Sequence, residues 1–483
     1  MCFSTQVAKN QFHDEVKIGK VGGEFQRMKG QAATATIKRM RRSAAALIVL
    51  GTLVPHAYGQ KDNGWLPTWT AAAMTTKPSA KLPIGTQAVT LRQVVHISQG
   101  GKRLRITFTN EFGTTPLHIS AAHVAFLSAG SKILTGTDKP LLFSGKPDIT
   151  IAPGQIAASD AVVERVPIYS DLVISTALPA QDLPAITYHA LAMATTFIAA
   201  GDQTTAAQFN SPAAVPPGIS QPDVTAPVTA PVGEKPIVKP TPQPAIAAGG
   251  SPDLLSQSSS WYFLKNVEVD STRKSAALVT LGDSITDGAQ STPETNRRYP
   301  DDLAALLGAN KKTKALSVLN VGISGNRVLH EMTGPSALDR LQRDVLSQPG
   351  ARYVLVVEGI NDIGHTATPP LLPITAQQLI DGLTEIAKRT HAAGLKIFGG
   401  TLGPIGGAKY DQPGAEEMRQ AVNTFVRTSN VFDGVVDFDK AVRDPQHPER
   451  MLPKYDCGDH LHPSDAGYAA MAAAVDLKLF RKK

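Results

Sequence analysis

The apolar positions of this chain follow two different spacings. From Trp65 to about residue 200, short runs rich in Val, Ile and Thr are separated by Gly and Pro. Within residues 103–109, Leu104, Ile106 and Phe108 alternate with basic or polar residues, which is typical of a half-buried strand. Further predicted strands cover residues 88–97, 117–126 and 160–177. Short strands separated by turn residues at this spacing predict an all-β sandwich or jelly-roll-like domain.

From residue 275 onward, strand-like apolar runs alternate with helical spacing. Strands are predicted at residues 276–281, 316–321, 353–357, 396–401 and 434–438. Helices are predicted at residues 300–308, 337–347, 376–393 and 415–428 and from about residue 465. This alternation indicates a parallel sheet with helices on both faces, and five strands in about 209 residues predict a flavodoxin-like α/β domain.

A proline-rich segment separates two parts of the β pattern. Residues 211–250 contain ten prolines and no aromatic residue. Because such a segment buries too little apolar surface to offset the entropy of ordering it, we predict a disordered insertion at about residues 205–255. A wall tether or docking segment is the functional alternative. Apolar sequence resumes at residues 261–269 as a last β strand, so the predicted domains are residues 60–270, which contain the insertion, and 271–483.

The net charge comes mostly from the N-terminal leader. The formal charge is +7, but residues 1–59 hold nine Lys or Arg and three Asp or Glu, so the remainder carries +1. A basic chain can indicate nucleic-acid binding. Because the excess positive charge lies in the leader rather than in the remaining chain, we predict no nucleic-acid partner.

The leader has the parts of a secretory signal peptide. Two arginines after Met40 precede an apolar run at residues 44–54, and small residues stand at positions 57 and 59. We predict cleavage between Gly59 and Gln60 and a secreted or periplasmic mature protein; a buried helix is the alternative. The run is shorter than the ~20 apolar residues of a spanning helix, so no stable membrane insertion is expected after cleavage. The 39 residues before Met40 are unlike a leader, which makes Met28 or Met40 an alternative start.

Cysteine usage excludes a disulfide framework. Of the two cysteines, Cys2 lies in the leader, so the exported protein keeps Cys457 alone. We interpret Cys457 as a packed small side chain rather than a nucleophile.

Three predicted strands of the α/β domain are followed by polar turns that an apolar core does not explain. The first turn carries Asp283 and Ser284, the second carries Gly325, and the third carries Gly359 and Asn361. Because the carboxyl ends of parallel strands meet at one edge of a sheet, the amides of Ser284 and Gly325 and the side-chain amide of Asn361 are expected to converge on one oxygen. Such convergence is what stabilises the oxyanion of acyl transfer.

A serine nucleophile also needs a base and a group that orients the base. Asp459 stands three residues before His462, just ahead of the last predicted helix, where an acid can fold back onto the imidazole ring. His462 is therefore the candidate base and Asp459 its orienting group, and His460 is assigned to structure or the substrate rim. Loop solvation or metal binding is the alternative. A zinc site needs a third protein ligand, which no other His or Cys offers at ligand spacing, so no metal or cofactor is predicted.

Taken together, these blocks resemble a known family. Four parts of the chain are similar to the four sequence blocks of the SGNH, or GDSL, hydrolases: Gly-Asp-Ser-Ile at 282–285, Gly325, Gly359-x-Asn361-Asp362 and Asp459-x-x-His462-Pro463. The resemblance implies a flavodoxin-like acyl-ester hydrolase, with Ser284, Asp459 and His462 as catalytic triad and Ser284, Gly325 and Asn361 as oxyanion hole. Asp283 and Gly359 would support these residues. The Gly-x-Ser-x-Gly elbow of α/β-hydrolases is not matched, because Thr286 stands in place of the second glycine.

Further motifs resemble one branch of that family. Four segments are similar to segments of secreted xylan-esterase-like proteins with an N-terminal β domain: Thr-Leu-Arg-Gln at 90–93, Thr-Asn-Glu-Phe-Gly at 109–113, Ala-Ala-His-Val at 121–124 and Asn-Arg-Arg-Tyr-Pro-Asp at 296–301. This branch implies an acylated carbohydrate, or another small ester, as substrate. A lipase or phospholipid acylhydrolase is the alternative within the enzyme class, and an inactive glycan-binding surface protein is the alternative outside it.

Overall fold

The structure is a computed structural model that describes residues 64–77, 82–210, 252–270, 272, 275–365 and 374–480. The predicted signal peptide, its cleavage position between Gly59 and Gln60, and residues 211–250 lie outside the described residues. The described residues all belong to one compact unit, Ala57–Lys483. Within these ranges, no helix combines the length and the apolar character needed to cross a membrane.

The N-terminal part is all β, as predicted, and its strands pair antiparallel. Its strands are β1 Trp65–Thr70, β2 Met74–Thr76, β3 Val89–His96, β4 Gly101–Thr109, β5 Leu117–Ile119, β6 Ala121–Ala129, β7 Lys132–Ile133, β8 Lys139–Pro140, β9 Ile149–Ile151, β10 Ile156–Ala158, β11 Val162–Val166, β12 Asp171–Leu178, β13 Ile186–His189, β14 Thr196–Ala200, β15 Leu254–Ser258, β16 Trp261–Tyr262 and β17 Leu264–Asp270.

These strands form two main sheets around one core. One sheet has the order β1-β17-β4-β10, with β11 also on β4, and the other has the order β15-β14-β3-β12-β6-β7, with β8 also on β6. Inward side chains of both sheets, such as Phe108 and Val267 from the first and Leu91 and Ile174 from the second, belong to one buried cluster. A smaller sheet, β16-β13-β2, and the pair β5-β9 complete the named sheets of this N-terminal part.

The ordered β structure extends into both ends of the predicted insertion. Strands β14 and β15 pair antiparallel, so the chain leaves and re-enters the same sheet at neighbouring strands. Phe209 is buried, with the Arg92 guanidinium 4.1 Å from its ring centroid. The buried Phe209 and the paired strand β15 therefore overlap the two ends of the predicted insertion.

The C-terminal part alternates strands and helices. Its strands are β18 Ala276–Gly282, β19 Leu316–Gly322, β20 Ala351–Val357, β21 Lys396–Gly400 and β22 Gly434–Val436. Its α-helices are α1 Ser284–Asp287, α2 Tyr299–Ala309, α3 Ala337–Leu341, α4 Ile360–Gly364, α5 Ala376–Ala392, α6 Ala415–Thr428, α7 Phe438–Val442 and α8 Asp465–Ala473. A π-helical turn, Gln342–Leu346, continues α3, and a 3₁₀ turn, Leu477–Phe480, follows α8.

The five strands form the predicted parallel sheet, in the order β19-β18-β20-β21-β22. This is the flavodoxin-like order, in which the chain direction across the sheet reverses beside the first strand. The last strand ends before the predicted residue 438, because the Asp437 carboxylate accepts from the Lys440 amide and caps α7.

The β part covers the edge strand β19 of the parallel sheet. Ser98 Oγ accepts from the Val318 amide at 3.0 Å, and Gln99 Nε2 donates to Leu316 O at 2.8 Å. An uncovered edge strand would expose unpaired backbone groups to other chains. The two parts are therefore joined by backbone-directed hydrogen bonds next to the strand that leads to Gly325.

Candidate active site

Ser284 lies at the junction between the first strand of the parallel sheet and a short helix. Strand β18 ends at Gly282, Asp283 Oδ1 accepts from the Ile285 amide at 3.0 Å, and α1 begins at Ser284. Gly282 has no room for a side chain, because a Cβ there would lie 2.5 Å from Val357 O. Ser284 is only 6% exposed, and its hydroxyl lies 2.9 Å from His462 Nε2. The local fold therefore aims this hydroxyl at an imidazole that is 178 positions later in the chain.

Asp459 fixes the orientation of the His462 ring. Asp459 Oδ2 lies 2.6 Å from His462 Nδ1, and Asp459 Oδ1 accepts from the His462 and Leu461 amides. Partial burial alone would raise the pKa of Asp459, but its hydrogen bonds with His462 hold that pKa well below its usual range. Because an ionised carboxylate accepts, the ring proton lies on Nδ1 and the Nε2 lone pair faces Ser284.

The turn after β19, residues 323–326, is called the oxyanion turn below and presents the Gly325 amide. Gly325 has φ +80°, and a Cβ there would lie 2.7 Å from Thr333 Oγ1. Among the described residues, neither the Gly325 amide nor the Ser284 amide donates to a protein acceptor. Both N–H groups are thus available for a bound oxygen.

Asn361 lies in α4, the helix that follows β20. Gly359 precedes this helix with φ +127°, a conformation that favours glycine. Asn361 Nδ2 donates to Asn326 O at 2.9 Å, which uses one of its two N–H groups. The second N–H remains for a ligand on the side of the oxyanion turn.

Strand register brings these three donors to one level of the sheet. Gly282 is paired with Gly322 on one side and with Val357 on the other. Ser284, Gly325 and Asn361 follow these paired residues by two, three and four positions. The sequence-predicted residues are therefore brought together at the carboxyl edge of the sheet, where ligands bind in open α/β folds.

Sequence reasoning missed several residues that support this site. Tyr410 donates its hydroxyl proton to Asn361 Oδ1 at 2.8 Å, and the buried Arg340 donates to Asn326 Oδ1 at 2.9 Å and to Gly282 O at 3.0 Å. No periodicity or motif marks these positions, because each acts across the fold on a residue distant in sequence.

Buried carboxyl groups lie behind the nucleophile. Asp283 Oδ2 and both carboxyl oxygens of Glu358 are buried without a hydrogen-bond partner among the described residues. Burial raises the pKa of Asp283 to about 7, and burial together with the Asp283 charge raises the pKa of Glu358 well above its ordinary value. Asp283, predicted as a supporting residue, thus combines helix capping with a carboxyl group that titrates near neutrality.

A second His–Asp pair stands beside the first. His460 Nδ1 lies 2.6 Å from Asp456 Oδ2, and His460 has φ +64°, which is uncommon outside glycine. Its side chain is 53% exposed, and a Cβ on Gly407 would lie 3.3 Å from its ring.

Cys457 is exposed rather than packed, which corrects the sequence interpretation. Its Sγ and the carboxylates of Asp456 and Asp459 lie within 4.8 Å of one another, close enough to be considered as ligands of one metal ion. Although the residue is exposed, neighbouring atoms desolvate part of its thiol, and this desolvation and the Asp459 charge raise the pKa of Cys457 to about 11. Both carboxylates already bond histidines. Because a thiol must lose its proton to ligate, these residues fit a metal poorly.

Part of this chain matches a known protein family. Residues 280–470 match the model of the GDSL-like Lipase/Acylhydrolase family. The match confirms the predicted family for this part of the chain and, with it, the predicted enzyme class, a carboxylic-ester hydrolase. No curated protein matches the chain.

Solved structures similar to this chain include three from different sources. An acetylxylan esterase from Geobacillus stearothermophilus is 22% identical, with 44% of this chain and 98% of that chain covered and a TM-score of 0.34. An α/β hydrolase enzyme from the metagenome of Lake Arreo, Spain, is 24% identical, with 41% and 94% covered and a TM-score of 0.33. A putative lipolytic protein of the G-D-S-L family from Desulfitobacterium hafniense is 19% identical, with 41% and 97% covered and a TM-score of 0.32.

Proposed function

We propose that this protein is an exported serine esterase that removes acetyl, or another short acyl group, from a carbohydrate through an acyl-enzyme intermediate. The observation that supports this most directly is the continuous hydrogen-bonded series Asp459, His462 and Ser284, with contacts of 2.6 and 2.9 Å. Such a series activates a hydroxyl that is otherwise a weak nucleophile.

In the first half-reaction, Ser284 Oγ attacks the acyl carbonyl carbon while its proton moves to His462 Nε2. The carbonyl oxygen becomes an oxyanion that accepts from the Ser284 and Gly325 amides and from Asn361 Nδ2. Collapse of this intermediate breaks the bond to the alcohol oxygen, which takes the proton from His462. The alcohol leaves, and the acyl group remains as an ester on Ser284.

In the second half-reaction, water takes the place of the alcohol. His462 Nε2 accepts a proton from water as the water oxygen attacks the acyl-enzyme carbonyl. The new intermediate collapses, Ser284 Oγ leaves with the proton from His462, and the free acid is released. Asp459 stabilises the imidazolium in both halves without itself becoming protonated.

The carbohydrate substrate is inferred from the motifs shared with the xylan-esterase-like branch and from the attached β domain. We also infer a sandwich domain of residues 60–270 and a catalytic domain of residues 271–483, because the antiparallel sheets and the parallel sheet are built around different core clusters. Export is inferred from the leader alone; N-terminal sequencing of the mature secreted protein should begin at Gln60.

One experiment tests the enzyme and its substrate class together. Acetate release from acetylated xylan is compared with hydrolysis of short-chain and long-chain aryl esters, using wild type, Ser284→Ala and Ser317→Ala. Ser317 is a suitable control because its buried hydroxyl has no hydrogen-bond partner in the described residues. We expect acetate release and short-chain turnover by wild type and Ser317→Ala, and a loss of at least ~10³-fold in Ser284→Ala.

Three other results would contradict parts of the proposal. Turnover by Ser284→Ala at the wild-type rate would reject Ser284 as nucleophile. A preference for long-chain esters would favour the lipase alternative. Binding of xylan without release of acetate or hydrolysis of any aryl ester would favour a glycan-binding protein.

A further inference from the structure

A histidine of the β part contacts the nucleophile-bearing helix. His189 is the last residue of β13, and its Nε2 lies 3.0 Å from Asp287 Oδ1. Both side chains are only 4% exposed. Asp287 is the last residue of α1, three positions after Ser284. The contact therefore reaches from the β sheets to the helix that begins with the nucleophile.

The same carboxylate holds the oxyanion turn. Asp287 Oδ2 accepts from the Ser324 amide at 2.9 Å and from the Ser324 hydroxyl at 2.8 Å. Ser324 directly precedes Gly325, whose amide points to the proposed oxyanion hole. The turn lies so close to α1 that a Cβ on Gly322 would be 2.3 Å from the Asp287 amide nitrogen. One carboxylate thus links His189 to the residue before an oxyanion donor.

The hydrogen-bond partners of His189 define its protons. Nδ1 lies 2.9 Å from Ala72 O, and a carbonyl oxygen can only accept, so Nδ1 carries a proton. Nε2 faces a carboxyl oxygen, so a second proton lies between this nitrogen and Asp287 Oδ1. Removal of that proton would leave two lone pairs facing each other in a buried contact.

The surroundings hold the ring in place and set its charge balance. The His189 ring stacks on Trp261, with 5.6 Å between ring centroids. Arg298 faces it from the start of α2, and a cavity of about 30 Å³ beside the pair is also lined by His96 and Asp301. Burial acts to lower the pKa of His189, but the charge and hydrogen bond of Asp287 outweigh burial and raise that pKa, with Arg298 opposing.

We propose that His189 is a positioning residue of the esterase, which holds Asp287, Ser324 and hence the Gly325 amide in place for the oxyanion. The β part would then belong to the catalytic machinery as well as to substrate recognition. This inference rests on the proposed function, since it assigns a role in the same reaction.

The contact between His189 and Asp287 should depend on pH. Because the pKa of His189 is raised in the folded protein, the stabilisation from its charged contact with Asp287 is fully present below the pKa that His189 has in the unfolded chain. It is lost as the pH rises through the folded value. Turnover should therefore decline on the alkaline side in a way that depends on His189.

The test measures kcat, KM and the pH profile of kcat on an aryl acetate for wild type, His189→Phe, His189→Gln and His123→Gln. Phe keeps a ring against Trp261 but donates no proton, whereas Gln can return one N–H to Asp287. His123 forms a comparable pair with Asp138, at 2.8 Å, within the β part and serves as control. We expect His189→Phe to lower kcat at least about tenfold, below the ~10²- to 10³-fold effect of deleting an oxyanion donor, with KM little changed.

His189→Gln should recover part of kcat and lose the alkaline decline, because glutamine does not titrate, and His123→Gln should match wild type. Wild-type kcat in a folded His189→Phe, or an unchanged alkaline decline in His189→Gln, would overturn the inference. If His189→Phe does not fold, Ser324→Ala replaces it: its effect on kcat should not add to that of His189→Gln, and full additivity would overturn the inference. A wild type that hydrolyses no ester rejects the proposed function itself, a different result from active wild type with indifferent variants.

Discussion

The Tyr410 hydroxyl donates to Asn361 Oδ1 at 2.8 Å and lies 3.0 Å from His365 Nε2. Its ring packs against the backbone of Gly364, where a Cβ would come within 2.3 Å of the ring. Because Oδ1 is held by Tyr410, the Asn361 amide nitrogen is turned toward Asn326 O and the oxyanion turn. Tyr410 therefore decides which end of the Asn361 amide faces the substrate.

Replacing Tyr410 by Phe should impair catalysis more than binding. The change removes one hydrogen bond, whose net worth is about 0.5–1.5 kcal/mol, so we expect kcat to fall up to about tenfold with little change in KM. Tyr353→Phe is the control, since it loses a hydroxyl bond to Phe480 O at 3.1 Å away from the catalytic turns. Steady-state kinetics on an aryl acetate measure both, and equal kcat values for the two variants would argue against this role.

The two His–Asp pairs of the last loop should respond differently to the same substitution. Asp459→Asn replaces the carboxylate that keeps the proton on His462 Nδ1, so we expect kcat to fall by ~10²- to 10⁴-fold. Asp456→Asn alters the equivalent 2.6 Å contact to His460, which does not touch Ser284, and should leave kcat near wild type. The measurement is kcat at a pH where wild type is fully active.

Equal losses in both variants would show that the loop as a whole, rather than the Asp459–His462 pair, supports turnover. A larger loss in Asp456→Asn would reassign the base to His460. Circular dichroism of both proteins separates these outcomes from unfolding.

The positions that sequence could predict are those whose role follows from local order along the chain. Ser284, Gly325 and Asn361 each follow a strand of the parallel sheet, and Asp459 lies one turn before His462. Strand ends of a parallel sheet share one edge, so residues after them meet whatever the length of the connecting helices. The parallel sheet and the meeting of these residues at its edge could therefore be predicted from the pattern alone.

The supporting residues could not be placed, because they act over long sequence separations. His189 lies 98 positions from Asp287, and Tyr410 lies 49 positions from Asn361. Their contacts depend on how the β sheets cover β19 and how the loop before α6 folds over α4. A spacing pattern carries no information about either, and a lone His or Tyr has many structural explanations.

Gly325→Ala tests the backbone of the oxyanion turn. At φ +80°, an alanine is strained, and its Cβ would lie 2.7 Å from Thr333 Oγ1, so the turn must shift and carry the Gly325 amide away. We expect kcat to fall by ~10²-fold or more, the effect of losing one donor. Gly394→Ala is the matched control, with φ +77° and no atom within 4 Å of its Cβ.

Both glycine variants should lose about 1 kcal/mol of unfolding free energy from the left-handed conformation. Chemical denaturation measures this shared loss, and only Gly325→Ala should also lose turnover. If the two variants retain the same kcat, the Gly325 amide is not an oxyanion donor.

Asp283→Asn should make the protein more stable at high pH. Burial raises the pKa of Asp283 to about 7, so between its unfolded value, ~3.9, and about 7 the folded state holds a proton that the unfolded state releases. The unfolding free energy of wild type therefore falls as pH rises through this window. Asparagine can still accept a hydrogen bond from the Ile285 amide and carries no charge, so the unfolding free energy of the variant should not fall in this pH window.

Thermal melts at pH 5 and pH 8 measure the effect, with Asp437→Asn as control. Hydrogen bonds from Arg427 outweigh partial burial and lower the pKa of Asp437 to about 2, so its stabilisation is already complete at pH 5. Asp437→Asn should then lower the melting temperature by the same amount at both pH values. For Asp283→Asn, the melting temperature relative to wild type should be a few degrees higher at pH 8 than at pH 5. The same difference for Asp283→Asn at both pH values would mean that the carboxyl behind Ser284 is ionised throughout this range, with Arg340 balancing its charge.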